Sequence, residues 1–271
     1  MNSNRTALLF ATAFAALAAI ASPSAASAPA PTLDWRLDDR GTSSRLVAAD
    51  ASGSGLDGMI GGNVRGTGAA FTGFTNPDSG VFVELGDKHP FGKDATLTLR
   101  LRNPGAASRT VVAGLGADGR GNRAWEIWFS APDVAGRRVL NFTYANWNGG
   151  VVNFAGDPVR IETGAWHRLT LVWRQVRGRV YSFSLYLAPE AEIPREPVIA
   201  DVTPGQANGP GPATGSLFYI GGRDRGWFAV EEPPARTGSF PGGYFGRGEI
   251  ADVRLWLGAA LTPDRLPRTS R

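Results

Sequence analysis

Three stretches of this chain set an aromatic ring beside hydrogen-bonding side chains. Sugar recognition needs that combination, because a pyranose offers an apolar C–H face for stacking and hydroxyls for directional hydrogen bonds. The first stretch is Tyr144-Ala145-Asn146-Trp147-Asn148-Gly149-Gly150. Its Asn and Gly residues argue for a turn that keeps Trp147 out of a core, with Tyr144, Asn146 and Asn148 as neighbours. The second is Arg223-Asp224-Arg225-Gly226-Trp227, directly after an apolar segment, where Arg223 and Asp224 accompany Trp227. The third comes from alternation: Trp125, Ile127 and Phe129 share one face of a strand, which leaves Glu126 and Trp128 on the other. A tryptophan capping the hydrophobic rim of a sheet has the same local signature.

A different chemistry is suggested by Asp50-Ala51-Ser52-Gly53-Ser54-Gly55-Leu56-Asp57-Gly58, where two carboxylates flank a glycine-rich turn. Such a loop can turn carboxylates and backbone carbonyls onto one point, as a calcium ion with about six to eight oxygen ligands requires. Asp50 and Asp57 would equally serve as Asx-turn acceptors. Catalytic sets are thin by comparison. Retaining glycoside hydrolysis needs two carboxylates roughly 5–5.5 Å apart. Glu249 and Asp252 are offset by three, which in a regular strand sends them to opposite faces. Glu126 has no carboxylate two residues away, and Glu231-Glu232 lies in a Pro-rich stretch. The chain has no Cys for thiol chemistry, and no Gly-X-Ser-X-Gly elbow. His89 precedes Pro90 in a turn, and His167 falls inside a strand.

The elements that must position these residues are strands. Ala95 to Arg102 alternates Ala95, Leu97, Leu99 and Leu101 against Thr96, Thr98, Arg100 and Arg102. Similar patterns run over 80–85, 110–115, 123–131, 139–144, 166–174, 180–187, 217–221 and 249–257, with Gly, Asn and Pro turns between them. Two Pro/Gly-rich loops, 204–215 and 231–243, interrupt the rhythm. The one helix expected is short, with Thr262 as N-cap and Pro263 in the first turn. Many short one-sided strands call for an all-β fold of two packed antiparallel sheets.

Composition sets the class. Met1 to Arg5 forms a positive n-region, Ala7 to Ala21 is apolar, and small residues follow to Ala28. This predicts a signal peptide over 1–28, with Ala26 and Ala30 as alternative ends. The apolar run is shorter than the roughly 20 residues a membrane span needs. Export is therefore expected, to the periplasm or the exterior, and the Ala/Arg/Gly-rich usage looks bacterial. The 28 Lys and Arg stand against 24 acids, and the basic residues are scattered, which argues against a nucleic-acid partner despite a pI near 9.8. Asn141-Phe142-Thr143 forms a glycosylation sequon that matters only in a glycosylating pathway.

Three segments together resemble the laminin-G-like and pentraxin-like domains of the concanavalin A-like superfamily. They are LDWRLD at 33–38 with DASGSGLDG at 50–58, AWHRLTLVWR at 165–174 with SFSLYLAPE at 182–190, and GEIADVRLWLGAALTPDRL at 248–266. The resemblance implies a jelly-roll sandwich over residues 32–266, followed by a tail at 267–271. It implies that first and last strands are neighbours, which would bring Asp252 to Asp50 and Asp57 around a structural Ca²⁺. It also implies packing roles for Trp35, Trp166, Trp173 and Trp256, and a structural role for His167. Lyases of this fold use a His or Tyr base with Arg and Gln partners. The reading that follows is an exported lectin-like module for a polysaccharide or glycoconjugate. Its rivals are a domain that binds an extracellular protein and a polysaccharide-degrading enzyme. The number of subunits is left open.

Overall fold

The computed structural model describes residues 28–36, 47–76, 79–85, 94–105, 109–116, 123–145, 151–177, 180–200, 217–222 and 244–267. They form β1 (Leu33–Trp35), β2 (Val47–Ala48), β3 (Gly58–Gly61), β4 (Arg65–Gly66), β5 (Phe71–Phe74), β6 (Gly80–Glu84), β7 (Ala95–Arg102) and β8 (Arg109–Gly116). The chain continues through β9 (Arg123–Ser130), β10 (Arg137–Ala145), β11 (Val151–Arg160), β12 (His167–Arg177), β13 (Val180–Pro189), β14 (Ile199–Ala200), β15 (Leu217–Ile220) and β16 (Gly246–Leu257). The predicted N-terminal signal region up to residue 27 and the loops 204–215 and 231–243 lie outside the described residues. Among the described residues no helix is long and apolar enough to cross a membrane.

The strands assemble into two eight-stranded sheets. Sheet A runs β14-β13-β12-β7-β16-β5-β4, with β1 also on β16, and sheet B runs β11-β10-β9-β8-β15-β6-β3-β2. Alternation decides which side of each strand faces the partner sheet. Leu97, Leu99 and Leu101 of β7 meet Trp125, Ile127 and Phe129 of β9 in one core. Aromatic rings bridge the gap: Phe142 of sheet B and Phe183 of sheet A lie 4.4 Å apart at their centroids, and Trp35 lies 5.7 Å from Phe218.

β11 does not show in the alternation of the sequence, because Gly156, Asp157 and Pro158 interrupt it. It survives at the edge of sheet B, where a proline's missing N–H costs no ladder bond to a further strand. The helix expected near the C-terminus is instead a single 3₁₀ turn at Pro263–Arg265, and the Thr262 side chain makes no capping bond. Its flanks, Leu261 and Leu266, cover Trp256 on the outside of sheet A. Pro29 O accepts a bond from Trp256 Nε1 at 2.8 Å, tying the start of the described chain to the same place. Trp35 and Trp173 are core residues. Trp166 is a partial exception to the packing assignment, since it sits half-buried at the rim with the guanidiniums of Arg100 and Arg102 4.8 and 4.7 Å from its ring centre.

One irregularity reverses an expectation. The ladder between β16 and β7 slips between Ala251 and Arg254, and Asp252 there takes a left-handed backbone, φ 46°. This β-bulge turns Asp252 onto the outer face, where it pairs with Arg100. Glu249 pairs with Arg102, which shares that outer face. Glu249 and Asp252 are thus on the same face, each neutralised by its own arginine.

Phe142 is fully buried and touches Trp125, Tyr144, Trp173 and Phe183. Phe142→Ala should cost about 3–5 kcal/mol of unfolding free energy, measurable as a fall in denaturant midpoint at unchanged slope.

Candidate functional site on the outer face of sheet B

Glu126 and Trp128 face outward because the residues between and beside them fill the core. Antiparallel register then chooses their neighbours. Glu126 stands opposite Gly114 of β8 and Thr143 of β10, Thr143 opposite Asn153 of β11, and Gly114 opposite Tyr219 of β15. These five positions form a row across the sheet. The glycine is what lets the row close. A β-carbon at Gly114 would lie 2.3 Å from Tyr219 Cζ and Oη, so the bare backbone makes room for the phenol ring to reach Glu126.

The side chains form a continuous polar track. Tyr219 Oη donates to Glu126 Oε2 at 2.8 Å. Arg109 donates to Glu126 Oε1 from Nε at 2.8 Å and also from Nη2. Its guanidinium lies 4.6 Å from the ring centre of Trp128. Trp128 Nε1 donates to Thr143 Oγ1 at 2.9 Å, and Thr143 Oγ1 donates to Asn153 Oδ1 at 2.7 Å. Asn153 Nδ2 then donates to Asn141 Oδ1 at 3.2 Å. Glu126 and Tyr219 are each 1% exposed, whereas Trp128 is half-buried and Asn153 is exposed. A buried Arg–Glu pair contributes little net stability, because desolvation offsets most of the attraction. What it supplies is position: it fixes a carboxylate, a guanidinium and an indole relative to an edge that opens at Asn153.

Of the residues expected from sequence to touch a ligand, the structure brings Glu126 and Trp128 together. Tyr144 does not join them. It is on the inner face, 7% exposed, with its ring 5.9 Å from Phe154, because alternation along β10 sets it on the side of Leu140 and Phe142, opposite Trp125. Trp147, Asn146, Asn148, Trp227, Arg223 and Asp224 lie outside the described residues. Asn141 of the sequon is 4% exposed and bonded within the sheet. Arg109, Gly114, Thr143, Asn153 and Tyr219 carry no signal in any one segment; only the strand order β11-β10-β9-β8-β15 assembles them. His167 is buried, with Nδ1 3.2 Å from Ala165 O.

The carboxylates expected to hold calcium do not converge. First and last strands do neighbour each other, yet Asp252 is turned to Arg100 by the bulge. Asp50 stays in the 50–58 turn, where its two oxygens accept bonds from Asp34 N, Ser52 N, Ser52 Oγ, Ser54 Oγ and Leu56 N. Asp57 accepts from Asp50 N at 2.8 Å. Among the described residues no group of three His, Cys, Asp or Glu side chains is placed to share a metal ion, so Asp50, Asp57 and Asp252 do not fit a common calcium.

Two antiparallel sheets packed face to face in these strand orders make a concanavalin A-like jelly roll, the class to which the fold belongs. No family model and no curated protein matches the sequence. The binding domain of botulinum neurotoxin serotype C1 is similar in structure, with a TM-score of 0.51 at 14% identity over 87% of this chain and 50% of that one. This chain therefore spans about half the length of that domain. The native heptameric SAP-like pentraxin from Limulus polyphemus gives 0.42 at 17% identity, covering 72% and 76% of the two chains. The endo-β-1,4-glucuronan lyase from the fungus Trichoderma reesei gives 0.40 at 15%, covering 84% and 92%. At these identities the likeness is one of fold, and fold does not fix function.

The Asp50 turn makes a pH prediction. Burial alone would raise its pKa, but the bonds from Asp34, Ser52 and Ser54 outweigh it and bring the carboxyl from 3.8 to about 2. A depressed folded-state pKa contributes stability above the unfolded value and loses it as pH falls through the folded one. Thermal midpoints of the parent and Asp50→Asn should differ by a constant amount above pH 4, and the gap should close as pH falls towards about 2.

Proposed function

We propose that this is an exported carbohydrate-binding, lectin-like domain whose ligand meets the outer face of sheet B between Trp128 and Asn153. The observation that supports it is the track of hydrogen bonds and one cation–π contact from Tyr219 through Glu126, Arg109 and Trp128 to Thr143 and Asn153. Core formation does not require such a track, since the inner face is already apolar. An amide at the open end offers a donor and an acceptor to adjacent hydroxyls, and the indole edge offers apolar surface to a sugar C–H face. The ligand is a polysaccharide or glycoconjugate. A glycan array at fixed salt tests this. A saturable hit on the parent should weaken about tenfold or more in Trp128→Ala and in Asn153→Ala. Silence of the folded parent across the array rejects the reading.

The Tyr219–Glu126–Arg109 group favours a second reading, polymer cleavage. A carboxylate fixed by a guanidinium and touching a phenol is suited to moving a proton to or from a bound chain. New reducing ends or unsaturated products from a panel of neutral and acidic polysaccharides, lost in Glu126→Gln, would establish it. Product formation unchanged in Glu126→Gln would exclude this group from the chemistry.

A further inference from the structure

Residues 28–32 precede the first strand and are nonetheless built into the fold. Thr32 is held through each of its polar groups. Its amide donates to Leu255 O at 2.7 Å, its hydroxyl accepts from Leu257 N at 3.0 Å, and its carbonyl accepts from Ser52 Oγ and Ser54 Oγ at 2.9 and 2.5 Å. Further upstream, Pro29 O accepts from the indole of Trp256 at 2.8 Å, and Ala28 packs on the cluster of Trp256, Leu261 and Leu266. Trp256 is 1% exposed, so removal of Pro29 would strip a buried donor of its acceptor.

These anchors bear on where an export leader is removed. Such a leader carries small residues at the cut bond and two positions before it. Three closely spaced bonds qualify: after Ala26 with Ser24, after Ala28 with Ala26, and after Ala30 with Ala28. The last two run into Pro29 and Pro31. A proline there has no N–H and a fixed φ, so that side of the bond cannot pair with an endopeptidase as an ordinary extended strand does. The fold supplies a second reason. A cut after Ala30 deletes the Pro29 acceptor, and a cut after Ala28 deletes the Ala28 contact and sets a new charged terminus beside the apolar cluster. A cut after Ala26 spares every anchor. The bond after Ala21 closes the apolar run itself, whereas the small-residue stretch of a leader follows that run.

We infer that the exported chain is cut at the bond between Ala26 and Ser27, and that residues 28–32 then strap the outer face of sheet A to the turn at Pro263–Arg265. The cut is a hydrolysis: water gives its hydroxyl to the Ala26 carbonyl carbon and a proton to the Ser27 nitrogen as the C–N bond breaks. The catalyst is an endopeptidase that selects small side chains before the bond, and the product is residues 27–271. Pro29 and Trp256 are 227 residues apart, so the strap docks only after the last strand has formed. The inference rests on the export part of the proposed function and is independent of the sugar site, which lies on the other sheet.

The full chain with its leader is expressed in a bacterium, and the exported product is read by intact mass and N-terminal sequencing. A terminus at Ser27 is expected. A terminus anywhere else overturns the inference and leaves export standing, whereas a chain that keeps its leader overturns export and the inference with it. The strap is tested on chains released from a cleavable fusion to begin at Ser27 or at Ala30. The shorter chain should melt roughly 3–8 °C lower. Trp256→Phe, which has no indole N–H to satisfy, should narrow that gap to less than half. Equal midpoints for the two starts, or a gap unchanged by Trp256→Phe, overturn the strap. Should Trp256→Phe fail to fold, hydrogen exchange of the Trp256 indole decides: faster exchange in the chain beginning at Ala30 supports the strap, and equal exchange rejects it.

Discussion

The contact between Phe142 of one sheet and Phe183 of the other, with ring centroids 4.4 Å apart, stands for the constraint on which the rest of the molecule depends. With no cysteine in the chain, no disulfide can hold the sheets together, and the apolar inner faces must do so by packing. Around that pair, Trp173 stacks on Phe183 and Trp125 leans on Phe142. Each strand has two faces, so committing one to this seam assigns the other to solvent or to function. Glu126 and Trp128 are outside because Trp125, Ile127 and Phe129 are inside.

The two outer faces use charge differently. On sheet B a single buried carboxylate takes a guanidinium on one oxygen and a phenol on the other, and the track runs on through neutral hydroxyl and amide groups to an open edge. On sheet A the charges alternate, Arg102 with Glu249, Arg100 with Asp252 and Glu190, and Arg254 with Asp34. The partly exposed pairs among them are individually weak, whereas Asp34 is buried, 1% exposed. Their effect is to hold the bulged segment of β16, where Asp252 keeps a left-handed backbone that a non-glycine residue rarely adopts. In the 50–58 turn Asp50 is held by Ser52, Ser54 and Leu56 and by the Asp34 amide.

Two glycine-dependent contacts show how finely the outer row of sheet B is set. Tyr219 reaches Glu126 across Gly114, and a methyl group there would occupy the space of the phenol. Gly80, at the start of β6, gives the same freedom to Phe82, which stands opposite Tyr219 in the row. The Tyr219–Glu126 contact joins residues 93 apart in sequence, whereas Gly80 and Phe82 lie on one strand.

The all-β class, the strands β6 to β10, β12, β13, β15 and β16, and the outward pair on β9 were legible in the sequence, because side-chain parity and turn chemistry act within a few residues. The strand β11 was hidden by Pro158, which only an edge position tolerates. The parity argument that separated Glu249 from Asp252 failed at a bulge, which the partner strand imposes and no local pattern announces. The grouping of Arg109, Gly114, Glu126, Thr143, Asn153 and Tyr219 likewise belongs to strand order and register. Sequence fixes which face a side chain takes along its own strand; which strands lie beside it is set by closing two sheets over one core, a long-range condition that only the tertiary structure resolves.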